Sequence, residues 1–354
     1  MAATPTAAGA GNFFEDFRAG QILHHAPPRT LTEGDQALYT ALYGARFATQ
    51  SSAEFARSLG MPSSPIDDLL VFHTVFGKTV PEVSLNAIAN LGYADCRFLK
   101  PVFPGDTLSA KSEVLGTREN ANKESGIVYV RSTGFNQRAE AVLTYARWVM
   151  VRKRTKDAPV PEAHVPELPK AVAHDALHLF PHEALARAHR ADTGGARFFD
   201  DYAKGQRFDH ADGMTVEDAE HMMATRLYHN TARVHFNAHT ERQGRFGKRI
   251  VYGGHVISVA RALSYNGFEN ALFVAGINAG RHVSPCFAGD TIYAWSEVAE
   301  KVPHATRTDW GFLRVRTLAA KDRNCADFPD KLPDGSYDPA ILLDLDTWIV
   351  VPRV

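Results

Sequence analysis

The stretch HNTARVHFN, residues 229–237, contains side chains that can handle protons and water. The amide of Asn230 stands five residues before the imidazole of His235, and Arg233 lies between them. Histidine is the side chain best matched to proton transfer near neutral pH. Arginine binds carboxylates through its two-pronged donor geometry. The plainer interpretation is a polar loop with a solvated or structural histidine and a surface arginine.

A second stretch, IVYGGHVIS, begins fifteen residues after His235. Its glycine pair, Gly253 and Gly254, opens an apolar run that predicts a helix. The unpaired N–H groups at a helix start, together with the helix dipole, can bind a developing negative charge. The alternative is a tight turn that needs glycine only for its backbone conformation.

The elements that must position these residues come from an internal repeat. FFEDFRAGQ begins at Phe13 and FFDDYAKGQ at Phe198, an offset of 185. GYADCRFLKPVFPGDT begins at Gly92 and GINAGRHVSPCFAGDT at Gly276, an offset of 184. Several matches in the same order at a nearly constant offset indicate a duplicated fold.

The repeat divides the chain into two copies and a connection. The copies span residues 13–153 and 198–354. Residues 154–197 form a Pro-rich linker, in which HDALHLFPHEALARAHRA predicts short helices. A larger offset near the end of the chain predicts an insertion in the second copy, KDRNCADFPDKLPDGSYDP.

Each copy is predicted to be an α+β layer. A helix is expected at about 33–44 and again at about 216–228, and a longer apolar helix follows in each copy. Alternating apolar and polar residues between turns then indicate antiparallel strands, whose sheet would wrap the apolar helix. The two sheets are expected to pair edge to edge as a pseudo-dimer, since this removes exposed strand edges.

The copies differ where chemistry is expected. The repeat pairs the polar positions of the second copy with positions that lack a titrating group in the first: Asn230 with Ala45, His235 with Gln50, and the glycine pair with Leu69 and Leu70. The second copy is therefore predicted to be catalytic, and the first is predicted to supply shape.

One group in the first copy imitates a catalytic pair. Asp67 and Asp68 stand six and five residues before His73, at the start of the apolar helix. Carboxylates at a helix start more simply cap its first turn. We therefore expect a capping role for the two aspartates.

Composition narrows the class of function. The chain has 354 residues, 45% of them hydrophobic, and 39 basic against 40 acidic residues. Balanced charge gives no reason to expect nucleic acid or a membrane surface as a partner. Three cysteines without a Cys-x-x-Cys pair argue against a disulfide framework and against zinc. A cytoplasmic protein without a metal is therefore expected.

These motifs resemble those of the MaoC-like, or (R)-specific enoyl-CoA hydratase, family of tandem hotdog folds. The family motif D-x-N-P-x-H is similar to Asn230 to His235, and its V-H-G segment to Val251 to Gly254. The later P-x-F-x-G-D turn corresponds to Pro285 to Asp290. More narrowly, NTARVHFN with YGGHVIS looks like the mesaconyl-CoA hydratase, or β-methylmalyl-CoA dehydratase, branch.

The resemblance implies reversible addition of water to an enoyl-CoA, with mesaconyl-CoA as substrate and β-methylmalyl-CoA as product. It implies no cofactor, because CoA is part of the substrate, and the CoA arm would lie in the groove between the copies. It assigns roles by position: His235 acts on the water or the leaving hydroxyl, Gly253 and Gly254 hold the thioester oxygen, Ser258 supports the acid–base pair, and Tyr252 contacts the substrate.

The chain departs from the family motif at two positions. Asn230 falls on the catalytic aspartate, and Arg233 replaces the proline. An amide cannot take a proton at neutral pH, although it can orient a water molecule. Mesaconyl-CoA carries a second carboxylate beside its double bond, which a neutral amide does not repel. We therefore expect His235 to be the single acid–base group and Arg233 to pair with the substrate carboxylate.

Other functions stay open at this point. Hotdog folds also host hydratases of other enoyl-CoAs, acyl-CoA thioesterases and non-catalytic acyl-CoA-binding proteins, and a fold alone does not choose among them. A thioesterase needs a carboxylate facing the thioester, which position 230 lacks. Retention of His235, Gly253 and Ser258 together argues against lost chemistry. A homodimer or a larger homo-oligomer is also compatible with the sequence.

Overall fold

A computed structural model describes residues 10–178 and 190–353 of the chain. The first nine residues and most of HDALHLFPHEALARAHRA lie outside the described residues. Of the short helices expected in the connection, the described part contains a single turn at His174–Ala176 and the four-residue helix α5 (Arg190–Thr193).

The two halves of the chain repeat one order of elements. The first half contains β1 (Ile22–Thr30), α1 (Glu33–Tyr43), α2 (Ala48–Ser51), α3 (Ala53–Ser58), α4 (Asp68–Thr79), β2 (Ala87–Phe98), β3 (Thr107–Glu119), β4 (Ser125–Phe135) and β5 (Ala141–Arg152). The second half contains β6 (Arg207–Thr215), α6 (Asp218–Leu227), α7 (Ala238–Glu241), α8 (Gly253–Leu263), β7 (Phe273–His282), β8 (Thr291–Pro303), β9 (Trp310–Lys321) and β10 (Ile341–Pro352). The helices predicted at about 33–44 and 216–228 are confirmed as α1 and α6.

All ten strands form one antiparallel sheet in the order β1-β3-β4-β5-β2-β7-β10-β9-β8-β6. The two halves meet where β2 pairs with β7, with Tyr93 opposite Gly280 and Cys96 opposite Ile277. Each half alone would leave the backbone groups of β2 or β7 unpaired at an edge. The predicted edge-to-edge pairing of the copies is therefore confirmed.

One long apolar helix packs against the sheet in each half. Helix α4 contacts β1, β3 and β4, and α8 contacts β6, β8, β9 and β10. Every residue of α4 after Asp68 is buried, which is the pattern of a helix enclosed on all sides. Asp67 caps α4 by accepting a hydrogen bond from the N–H of Leu69, as expected, whereas Asp68 accepts a hydrogen bond from the N–H of Val274 in β7. The predicted α+β architecture, with a helix wrapped by a sheet in each copy, is confirmed.

The duplication is visible in the core as symmetric contacts. The hydroxyl oxygens of Tyr43 and Tyr228, which are 185 residues apart, lie 2.6 Å from each other. Nε2 of His25 lies 2.8 Å from Oγ of Ser112 in the first half, and Nε2 of His210 lies 2.8 Å from a serine Oγ in the second. Equivalent polar pairs are therefore buried on both sides of the approximate two-fold axis.

The structure corrects one position of the repeat. Helix α4 begins at Asp68 and α8 at Gly253, so the residue equivalent to Gly253 is Asp68. The pairing of the glycines with Leu69 and Leu70 is wrong by one residue. The conclusion drawn from it stands, because the first half has no glycine at this helix start.

The position of the insertion also follows the prediction from sequence. The insertion in the second half lies between β9 and β10, whereas a short turn at residues 136–140 joins β4 and β5. Within residues 10–178 and 190–353, no helix is long and apolar enough to cross a membrane. All three cysteines are buried and free.

Candidate active site

The two stretches expected to carry chemistry lie side by side. The N–H of Ile250 donates to the carbonyl of Val234 at 3.1 Å, and Nδ1–H of His235 donates to the carbonyl of Ile250 at 3.0 Å. The N–H of Val251 donates to the carbonyl of Cys286 at 2.9 Å, which ties the second stretch to the turn after β7. These contacts bring His235 next to the start of α8, as the sequence predicted.

His235 is held as a neutral base. Because Nδ1 donates to a carbonyl, Nε2 carries the free lone pair. Burial lowers the pKa of His235 to about 4, against the opposing effect of the hydrogen bond to Ile250. Its ring centroid lies 5.4 Å from that of Tyr252. At neutral pH the imidazole can therefore accept a proton from water.

Asn230 is fixed in one orientation. Its N–H donates to the carbonyl of Thr225 at 3.0 Å, which carries the chain past the end of α6. Its Oδ1 accepts a hydrogen bond from the N–H of Ala232 at 2.9 Å. Since the partner atom is a donor, the other end of the side chain must be the Nδ2 amide, so this end offers N–H donors.

Gly253 and Gly254 are the first two residues of α8, directly after Tyr252. Neither N–H has a hydrogen-bond acceptor among the described residues, so both remain available to a ligand oxygen. A Cβ on Gly253 would lie 2.3 Å from a ring carbon of His282, and one on Gly254 would lie 2.3 Å from the ring of Tyr252. Any larger residue would therefore displace the helix start.

Ser258 lies inside a buried polar network behind the site. It is 1% exposed, and its Oγ accepts from the hydroxyl of Tyr39 at 2.9 Å and lies 3.1 Å from Nε2 of His73. Nδ1 of His73 lies 3.5 Å from the hydroxyl of Tyr252, whose ring contacts His235. Ser258 is therefore connected to the acid–base histidine through His73 and Tyr252 and has no direct contact with it.

The first half thus contributes two side chains to this network that were not predicted from the sequence. Tyr39 and His73 come from α1 and α4, and burial lowers the pKa of His73 to about 3. His73 was singled out in the sequence only as a neighbour of two helix-capping aspartates. Its equivalence with Ser258, 185 residues later, is the signal that it lies on the two-fold axis.

His282 is a second imidazole beside Gly253 that the sequence analysis missed. It ends β7, and its Nε2 lies 3.3 Å from the hydroxyl of Tyr93. Burial, followed by the charge of His235, lowers its pKa to about 4. His282 is thus neutral at neutral pH. It offers no negative charge that would stabilise a protonated His235.

A cavity of about 540 Å³ opens between the two halves. Its lining from the first half is Ala26, Pro27, Gly77, Lys78 and Pro81, and from the second half Thr225, Arg226, His229, Asn230, Thr231 and Phe236. It has the size of a small-molecule site and lies where the groove between copies was expected. Of the predicted site residues, Asn230 lines this cavity.

Arg233 lies two residues before His235, on the same single turn of the chain. It begins the single turn Arg233–His235, is exposed, and is not among the residues that line the cavity. Its pairing with the substrate stays a prediction. Within residues 10–178 and 190–353, no group of three or more His, Cys, Asp or Glu side chains is arranged to hold a metal ion.

Comparison with known proteins assigns the family. A family model described as mesaconyl-CoA hydratase matches residues 4–328. The chain is 60% identical over 343 residues to a β-methylmalyl-CoA dehydratase from Chloroflexus aurantiacus, covering 97% of both chains. The chain belongs to the mesaconyl-CoA hydratase family. A mesaconyl-CoA hydratase from Cereibacter sphaeroides is 54% identical over 97% of this chain and 99% of its own.

Solved structures give the same assignment for the fold. A MaoC domain protein dehydratase from Chloroflexus aurantiacus superposes with a TM-score of 0.97 at 59% identity, covering 99% of this chain and all of its own. A double hotdog protein from Mycobacterium tuberculosis has a TM-score of 0.75 at 24% identity, which shows the fold alone. The predicted tandem hotdog fold is therefore confirmed for this member of the mesaconyl-CoA hydratase family.

Proposed function

We propose that this protein catalyses the reversible addition of water to mesaconyl-CoA to give β-methylmalyl-CoA. Its two relatives at 60% and 54% identity carry the names of this reaction in its two directions. The observation that supports the chemistry is the neutral imidazole of His235 beside two unpaired N–H groups at the start of α8.

In the hydration direction, Nε2 of His235 takes a proton from the attacking water. The water oxygen bonds to the carbon that carries the substrate's free carboxylate, and the π electrons of the double bond move to the thioester oxygen. The N–H groups of Gly253 and Gly254 hold this oxyanion, where the dipole of α8 adds to their effect. His235 then returns its proton to the other alkene carbon, and the thioester carbonyl re-forms.

Asn230 contributes as a hydrogen-bond donor. Its Oδ1 is engaged by the N–H of Ala232, so Nδ2 is the end that faces a ligand. Nδ2 can hold the oxygen of the water or of the product hydroxyl, while His235 does the proton transfer. A carboxylate in its place would stand close to the substrate carboxylate, and like charges at this separation repel.

Tyr252, His73 and Ser258 act as a support for the acid–base group. The ring of Tyr252 packs against His235, and the hydrogen-bond contacts behind it run through His73 to Ser258. A catalytic geometry is retained only when the residues around it are themselves fixed. Ser258 is therefore a positioning residue in this mechanism.

The test follows the enoyl-thioester absorbance of mesaconyl-CoA and, in parallel, titrates free thiol. We expect the absorbance to fall without thiol release, because water adds to the double bond and leaves the thioester intact. His235→Ala should lower kcat by roughly 10²–10⁴-fold, the contribution typical of general acid–base catalysis. His239→Ala, an exposed histidine four residues later in α7, is the matched control.

Three results would contradict the proposal in whole or in part. Stoichiometric thiol release would indicate a thioesterase. Normal turnover by His235→Ala would remove this imidazole from the chemistry. Turnover of crotonyl-CoA without turnover of mesaconyl-CoA would keep the reaction and replace the substrate.

A further inference from the structure

Lys78 is a buried cation without an acidic partner. It lies in the last turn of α4 and is 4% exposed. Its ammonium donates to the carbonyl of Pro27, and no carboxylate lies within ion-pair distance of it in residues 10–178 and 190–353. A buried charge is costly unless it is paired, so an unpaired ammonium on a cavity wall suits an anionic ligand.

Helix α4 touches the segment that carries the amide of Asn230 at the residue before Lys78. A Cβ on Gly77 would lie 1.9 Å from the carbonyl oxygen of Tyr228 and 3.3 Å from the backbone nitrogen of Asn230. Only glycine allows α4 and this segment to approach so closely. Lys78 and Asn230 then line the same cavity from opposite halves of the chain.

The polar groups around this point are suited to an anion. Nδ2 of Asn230 is a donor, since Oδ1 is engaged by Ala232. No acidic side chain is among the residues that line the cavity in the described part of the chain. Arg29, whose charge acts on Lys78, is already bound to the carboxylate of Asp35 and the carbonyl of Leu227.

The charge of Lys78 responds to these surroundings. Burial, followed by the charge of Arg29, lowers the pKa of Lys78 to about 8. His229 faces Lys78 from the second half, and its pKa is lowered by burial and by the charges of Arg29 and Lys78. A bound anion would offset the repulsion between the charges of Lys78 and Arg29.

We infer that Lys78 and the Nδ2 amide of Asn230 bind the free carboxylate of the substrate's acyl group. This assignment rests on the proposed function and deepens it, since it names the groups that distinguish a dicarboxylic from a monocarboxylic acyl-CoA. The carboxylate is bonded to the carbon that water attacks, so its ligand must lie beside the water-handling amide. Lys78 lines the same cavity as this amide, and Arg233 is the alternative ligand that the experiment tests.

A phosphate of CoA is the other anion that a lysine could bind. The CoA phosphates are separated from the thioester by the pantetheine arm, whereas Lys78 lines the same cavity as Asn230. The location therefore favours the carboxylate, and the experiment distinguishes the two sources.

The experiment measures binding in a His235→Ala background, so that affinity is read without turnover. Calorimetry gives the dissociation constants of mesaconyl-CoA, crotonyl-CoA and free CoA. The added substitution Lys78→Met keeps the length of the side chain and removes its charge. It should weaken the binding of mesaconyl-CoA by about 30-fold or more, the loss expected when one member of a buried charge pair is removed. Crotonyl-CoA and free CoA should change little.

Matched controls identify the charge that matters. Lys170→Met, an exposed lysine in the connecting segment, should leave all three constants unchanged. Arg233→Met tests the alternative carboxylate ligand in the same assay. If Lys78→Met weakened the binding of all three ligands equally, Lys78 would bind a CoA phosphate and the inference would be overturned. Unchanged binding of mesaconyl-CoA would also overturn it.

A second measurement keeps the inference testable if Lys78→Met does not fold. The methyl ester of the free carboxylate of mesaconyl-CoA should bind the protein with intact Lys78 about 30-fold more weakly than the parent acid. Equal affinity for acid and ester would overturn the inference. Failure of the proposed function would appear separately, as the absence of mesaconyl-CoA hydration by the unmodified protein.

Discussion

Gly253→Ala tests whether the backbone at the start of α8 is the oxyanion site. The added Cβ would lie 2.3 Å from Cε1 of His282, whereas ordinary contacts begin at 3.4 Å. The ring or the helix start must therefore move by more than 1 Å. His282 is held by the hydroxyl of Tyr93 at 3.3 Å and by the pairing of β7, so part of the movement falls on the N–H groups of α8.

The expected loss follows from the role of those N–H groups. Removing one oxyanion donor lowers kcat by roughly 10²–10³-fold, and a misplacement of about 1 Å in an active site can cost 10²-fold. We therefore expect Gly253→Ala to lower kcat by about 10²-fold or more, with a smaller change in KM. Initial rates of absorbance loss with mesaconyl-CoA measure both constants.

Two further variants separate the causes. Gly34→Ala is the matched control, because its Cβ would meet only the hydroxyl of Thr32 at 3.5 Å. In Gly253→Ala combined with His282→Ala, the ring that causes the clash is absent, so the helix start can return and part of kcat should recover. If Gly253→Ala alone kept kcat within about twofold of the unmodified protein, the backbone at this position would not be the oxyanion site.

Asn230→Asp should raise KM for mesaconyl-CoA by about 10-fold or more, because a carboxylate would replace the Nδ2 donor beside the substrate anion. Steady-state kinetics with crotonyl-CoA, which lacks the acyl carboxylate, decide whether the effect is specific. The pH profile of kcat/KM for mesaconyl-CoA should fall below about pH 4, where His235 becomes protonated and stops being a base. It should also fall above about pH 8, where Lys78 loses its charge, and crotonyl-CoA should lack this second decline. Equal high-pH declines for the two substrates would contradict the carboxylate assignment.

The repeat was sufficient to predict most of the fold. Matches such as Phe13 with Phe198 fixed two copies, and the need to cover sheet edges predicted that their sheets pair edge to edge, which β2 and β7 do. The one-residue misalignment at Gly253 has a simple origin. The offset is 185 at the start of the apolar helices but 184 at Gly92 and Gly276, because the segment from Gly253 to Gly276 is one residue shorter than the segment from Asp68 to Gly92.

The candidate site was predictable only in part. The contact between His235 and the start of α8 was expected, since both stretches were read as halves of one site. Lys78 could not be found from the sequence, because a lysine near a helix end is ordinarily exposed and interacts with the terminal carbonyls. Its burial depends on Gly77 touching the segment after Tyr228, which is a contact between the two copies. His282 was overlooked for a similar reason, since it reaches Gly253 only through the fold.

The pairing of β2 with β7 also bears on why a half without its own acid–base histidine persists. A gene duplication frees one copy to lose function, and loss of the whole copy would ordinarily follow. Here deletion of the first half would leave the backbone of β7 bare from Gly276 to Gly280, a template for aggregation. It would also remove Tyr39, His73 and Lys78 from the surroundings of the remaining histidine. The first half has thus become a subunit that the second half requires, joined to it in one chain.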